Sequence, residues 1–174
     1  MCASLSQRKD PTEELEFATH LIKSVMEGID KDKSIASMHV CRGNWSKDES
    51  ILLTGPYTPL LDLFTNINAD LLSLEFSTPR AGEIKSLLAD ERLRNKIILG
   101  LGVLNPRFDE KEDVDVIYNR AKEALAFIDK ENLWLNPDCG FATFSNRPVN
   151  EYENIRAKVG AMIKARDRLR AEYE

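Results

Sequence analysis

The chain has three cysteines and two histidines in 174 residues, and acidic residues outnumber basic ones, 29 to 24. A net charge of −5 speaks against a nucleic-acid or anionic-membrane surface, since either needs a basic patch. The one dense basic run, KARDRLR near the C-terminus, is interleaved with apolar residues at helical spacing and reads as the solvated face of a helix. No apolar run approaches the roughly 18 residues of a membrane span. The opening MCASLSQRKDPTEE has no apolar signal core and turns charged at once, so no secretory signal is read and a cytoplasmic setting is expected. Cys2, Cys41 and Cys139 form an odd set, better suited to free thiols or metal ligands than to disulfides. The sequence has no G-x-S-x-G elbow and no phosphate-binding loop. The glycines of LGLGV are followed by LNPR rather than by a helix start, so no dinucleotide fingerprint is supported.

What is present is ordinary for a globular domain: 43% hydrophobic and 30% charged residues, with no low-complexity segment or interdomain linker. We expect a polar tail over residues 1–12 and one domain over 13–174. Pro11 opens a helix with apolar positions Leu15, Ala18, Leu21, Ile22, Val25 and Ile29. A short strand SIASMHVC follows, then a helix YTPLLDLFTNI and a strand DLLSLEF. A helix AGEIKSLLADERLR precedes the nearly all-apolar strand KIILGLGVLN. VDVIYNRAKEALAFI carries the helical stripe Val114, Ile117, Ala121, Leu125 and Ile128. The strand NLWLN and a long final helix close the chain. This alternation predicts an α/β fold of four βα units with parallel strands covered by helices. Such a unit is either a small open sheet or half of a (β/α)8 TIM barrel, which in full needs about 250 residues. Periodicity leaves both open.

In both architectures chemistry collects at the carboxyl ends of the strands. The first strand ends MHVCRGNW, the second SLEFSTPR, the third GLGVLNPR and the fourth LNPDCGF. His39 and Cys41 lie two apart and so share a face of their strand. Glu75 closes an apolar run, an awkward place for a carboxylate without a partner. Cys139 sits in the turn after the fourth strand. Each has an ordinary reading: H-x-C as packed core, Glu75 as a cap or salt-bridge partner, Cys139 as a buried thiol. Together, His39, Cys41, Glu75 and Cys139 make a nitrogen, two sulfurs and an oxygen, a donor set suited to tetrahedral zinc. His20, in the first helix with Glu16 and Ser24 a turn away, reads as surface, and Cys2 as an unpaired tail residue.

The segments HVCRGNW, ADLLSLEFSTPRAGE, LGLGVLNPR and LWLNPDCGFATF, in that order, resemble the C-terminal catalytic domain of the cobalamin-independent methionine synthases. The likeness runs from about Glu13 to about Arg170 and is nearest to the shorter, methionine-synthase-like branch. It implies a (β/α)8 barrel and a catalytic zinc held by the counterparts of His39, Cys41, Glu75 and Cys139. It further implies methyl transfer from a methylated folate to a small thiol, homocysteine in the methionine synthases, and so a place in methionine biosynthesis. Two departures qualify this. CGFATF stands where the methionine synthases proper have C-G-L-K, and RGNW follows H-x-C; both match the branch whose members include alkyltransferases acting on other thiols. The chain also lacks the βα units that precede H-x-C in the family. Only the last four strands are expected, with self-association or a complementing half-barrel chain to cover the open edges. The competing readings are a non-catalytic zinc-binding remnant or subunit, and a small open-sheet binding module without metal.

Overall fold

The structure, a computed structural model, describes residues 10–146 and 148–174. The expected polar tail and Cys2 lie outside the described residues, apart from the short stretch at 10–12. Four strands, β1 (Ser37–Val40), β2 (Leu71–Glu75), β3 (Ile98–Leu104) and β4 (Leu133–Pro137), form one parallel sheet in the order β1-β2-β3-β4. Each strand lies beside its neighbour in sequence, with no reversal of order. A doubly wound sheet reverses at a switch point, whereas successive barrel units do not. The α/β class and the parallel strands read from the sequence are therefore what the molecule shows.

The helices are α1 (Pro11–Glu27), α2 (Leu61–Asn66), α3 (Ile84–Leu88), α4 (Glu91–Arg94), α5 (Val114–Leu125) and α6 (Tyr152–Tyr173). Asp10 caps α1 by accepting the Thr12 and Glu13 N–H groups, with Pro11 in the first turn where its missing N–H is harmless. Asp113 caps α5 in the same way through Asp115 N–H. The helix expected over AGEIKSLLADERLR is broken in two. The Asp90 side chain accepts the Arg92 N–H and starts α4 afresh, because a short polar side chain competes for the backbone that would continue α3. No helix among the described residues is long and apolar enough to cross a membrane.

Register sorts the strand side chains into two faces. Met38, Leu72, Leu99 and Leu133 align in one row, and Val40, Leu74, Leu101 and Leu135 in another. These rows belong to the core beneath the helices, where Leu72, Leu74, Leu99 and Leu101 are fully buried. Burying each such side chain contributes about 1.5–3 kcal/mol. The stripe of α5 lies as expected, and Ala161, Ala165 and Leu169 of α6 are buried while Arg166, Arg168 and Arg170 are exposed. The stripe of α1 differs from expectation. Leu15, Ala18 and Ile22 pack against the core, but Leu21 and Val25 are exposed together with Phe17. This helix packs mainly beside α2, and the flank that carries Phe17, Leu21 and Val25 is left exposed.

The opposite face of the sheet is polar and glycine-rich: His39, Ser73, Gly100 and Trp134 form one row, and Glu75, Gly102 and Asn136 the next. A Cβ on Gly100 would come 2.7 Å from Asn136 Oδ1. On Gly102 it would run into Asp138 Oδ1 and lie 2.6 Å from the Leu74 carbonyl. Bare backbone on β3 is thus what lets side chains from β4 and its following turn lie across the sheet. We expect Gly102→Ala to lower stability by about 1–3 kcal/mol through overpacking. Gly160→Ala, at a helical site with nothing within 4 Å of the new Cβ, should raise it by about 0.5–1 kcal/mol. Urea midpoints of the two variants check both signs.

Candidate metal centre

The end of β1 delivers His39 and Cys41, the end of β2 delivers Glu75, and the turn after β4 delivers Cys139. All four ligand atoms lie within 4.8 Å of one another. His39 Nε2 and Cys41 Sγ each stand 3.2 Å from Cys139 Sγ, and Cys139 Sγ is 3.2 Å from Glu75 Oε1. The residues singled out from the strand ends are therefore brought together, from three separate βα units. His20 is exposed on α1 and takes no part.

The surroundings orient each donor. His39 Nδ1 is 2.9 Å from the Ser73 carbonyl, which can only accept, so Nδ1 carries a proton and Nε2 is the nitrogen that faces the sulfurs. Cys41 Sγ accepts the Gly43 N–H at 3.2 Å. Glu75 is 1% exposed. Its Oε1 accepts the Arg42 N–H at 2.9 Å, while its own N–H donates to the Tyr57 hydroxyl at 2.9 Å, since the β1 pairing has ended at Val40. Glu75 Oε2 is buried without a hydrogen-bond partner and faces Arg80 Nη2 at 3.6 Å. Arg80 also approaches Glu49, whose Oε1 accepts from Arg107 Nε at 2.9 Å. The Arg42 guanidinium stacks on the Tyr57 ring, 4.1 Å from its centroid.

Protons are too few for these acceptors. The hydrogen bond from Cys139, then that from His39, holds the Cys41 thiol down at about 4. The same contact with the Cys41 thiolate, followed by burial, pushes Cys139 far up. Burial raises Glu75, against the pull of the Arg42 N–H. The Cys41 contact, the largest influence, raises His39 despite its burial. One Cys139 proton cannot serve both the Cys41 thiolate and Glu75. A cation at the centre would relieve this crowding of lone pairs. Metal–sulfur bonds of ~2.3 Å in a tetrahedron set S···S near ~3.8 Å, so the two sulfurs need separate only slightly. The donor set fits zinc: borderline-soft, with nitrogen, sulfur and oxygen all acceptable.

Ser73, Tyr57, Arg42, Arg80 and Arg107 were not foreseen as part of the site. One signal was present: an arginine follows each of the first three strand ends, in CRGNW, STPR and LNPR. We expect Tyr57→Phe to cost about 1–3 kcal/mol, because it strands the buried Glu75 N–H. Chemical denaturation of the metal-free protein measures this.

The chain is thus an α/β protein whose parallel βα sheet carries, at its carboxyl edge, an N/S/S/O cluster that could hold a metal ion. Over residues 3–167 the chain matches the family described as "Cobalamin-independent synthase, Catalytic domain", and it belongs to that family. It is 32% identical over 113 residues to the uncharacterized protein YxjG of Bacillus subtilis, covering 64% of this chain and 29% of that one. It is 28% identical over 163 residues to a methionine synthase of Pyrococcus horikoshii, covering 93% of this chain and 40% of the relative. A 5-methyltetrahydropteroyltriglutamate–homocysteine methyltransferase of Listeria innocua is 29% identical over 92% of this chain, which spans 18% of that protein. The solved B12-independent methionine synthase of Shewanella sp. W3-18-1, in complex with selenomethionine, superposes with a TM-score of 0.69 at 20% identity. That match covers 91% of this chain and 44% of the Shewanella chain. The chain thus spans less than half the length of each of these relatives.

Proposed function

We propose that this chain carries the zinc centre of a thiol methyltransferase, with His39, Cys41, Glu75 and Cys139 as ligands. The observation that carries the reading is the convergence of these four donors, from three βα units, within 4.8 Å. Bound zinc would hold a substrate thiol as its thiolate near neutral pH, so that the sulfur can accept a methyl group. The residues of the chain do the rest. The Ser73 carbonyl orients the His39 ring, the Arg42 N–H and Tyr57 anchor Glu75, and Arg80 faces Glu75 from behind. Two thiolates and a carboxylate make the site net negative around a divalent ion, which keeps a bound sulfur electron-rich. His39 and Cys41 are exposed, so the donors are open on one side, as a catalytic rather than a closed structural site requires.

The names of the relatives supply the substrates of this reading: homocysteine as acceptor and a methylated folate as donor. The related alkyltransferases with other thiols are the second reading, favoured by CGFATF after the last ligand. A cytosolic setting, where thiols stay reduced, suits either. Among the described residues β1 and β4 each leave one side unpaired. We take the remaining wall of the pocket to come from a complementing half barrel or a second copy.

Elemental analysis should find about one zinc per chain, with Cys41→Ser and Cys139→Ser each losing most of it, because a hydroxyl is a poor substitute for a thiolate ligand. Full zinc content in either variant rejects the ligand set. With zinc bound, methionine formation from homocysteine and 5-methyltetrahydrofolate tests the turnover. Sedimentation velocity over a range of concentrations should show self-association through the open edges; a monomer throughout would leave only the complementing chain.

A further inference from the structure

β2 and β4 are not neighbours, for β3 runs between them. Even so, the residue before Cys139 is tied to both of the other strands. The Asp138 N–H donates to the Leu104 carbonyl of β3 at 2.9 Å. Its carboxylate then crosses β3 at Gly102, the position where a Cβ would run into Oδ1. Beyond the crossing, Oδ1 accepts the Phe76 and Ser77 N–H groups at 3.1 and 3.0 Å, and Oδ2 accepts the Ser77 hydroxyl. Asp138 is 1% exposed, and its nearest cation is Arg107, at 3.9 Å. These bonds close on the segment that begins one residue after Glu75.

We propose that Asp138 is a positioning residue: its carboxylate, spanning Gly102 to the end of β2, sets Cys139 against Cys41 and Glu75. The ligand from β4 has the longest way to come, since it must meet partners on strands two and three places away. Main-chain pairing aligns β4 with β3 alone, so the sheet by itself does not place Cys139 over the end of β2. The carboxylate supplies that missing constraint, with three acceptor contacts to one dipeptide. The inference rests on the metal-centre reading only for the cobalt measurement below; the thiol-pairing measurement is independent of it.

The test uses metal-free protein in a Cys2→Ser background, in which Cys41 and Cys139 are the remaining thiols. Oxidised glutathione takes up their two electrons as they pair and leaves as two reduced molecules, giving their effective concentration. Asp138→Ala should lower it about tenfold or more, the equivalent of roughly one net hydrogen bond to a charged group. Asp138→Asn should stay near the wild type, because its amide oxygen still accepts both N–H groups and its amide nitrogen donates to Ser77 Oγ. Where Asp138→Ala fails to fold, Ser77→Ala, which removes one of the three contacts, should still lower the value. Cobalt(II) then reports ligation through the thiolate charge-transfer band. Asp138→Ala should lose about half of its intensity and about 10–100-fold in affinity, and adding Cys139→Ser should cost nothing more. A folded Asp138→Ala protein that pairs its thiols as readily as the wild type overturns the proposal. Additive losses with Cys139→Ser overturn it too. A wild type that binds no cobalt, yet loses thiol pairing in Asp138→Ala, rejects the metal reading while upholding the positioning role.

Discussion

The candidate site depends on a carboxylate that crosses a strand. Asp138 leaves the end of β4, passes over the bare backbone of Gly102, and satisfies two N–H groups and a hydroxyl at the end of β2. Parallel strands give each βα unit its own loop, and nothing in the ladder makes loops two strands apart converge. A buried carboxylate has no such latitude, because leaving its bonds unmade would cost several kcal/mol. The same requirement explains the glycine. Any side chain at position 102 would stand where the carboxylate must pass.

A second constraint is charge. Cys41, Cys139, Glu75, Glu49 and Asp138 gather acidic groups in a small volume, and Arg80 and Arg107 approach the carboxylates from behind, with the Arg42 guanidinium stacked on nearby Tyr57. The guanidinium groups offset the carboxylates but do not reach the sulfurs. The excess of lone pairs therefore falls on the face that carries His39 and Cys41. That is where a divalent cation has most to gain, and where a thiol could approach it. The polar and glycine-rich face of the sheet belongs to the same design: a face filled with leucine would deny the site its room.

The βα alternation and most of the strands were legible because apolar periodicity records which side of an element is buried. The donor residues were legible because parallel architectures collect chemistry at strand ends, and His39, Cys41, Glu75 and Cys139 occupy three of them. The break between α3 and α4 was hidden in Asp90, whose capping role cannot be told from a surface position inside a helical pattern. The exposed flank of α1 was hidden as well. Phe17, Leu21 and Val25 have the spacing of a core stripe, and spacing does not say whether a neighbour is present.

The sequence by itself determined the class of fold and the order of its elements, and it singled out the four candidate donors, since these follow from local pattern and residue chemistry. Only the tertiary structure decided the consecutive strand order, the convergence of donors up to 100 residues apart, and the roles of Ser73, Tyr57, Arg80 and Asp138. Those depend on register and on which side chain crosses which strand. Such relations are set by long-range packing, and no local window of residues encodes them.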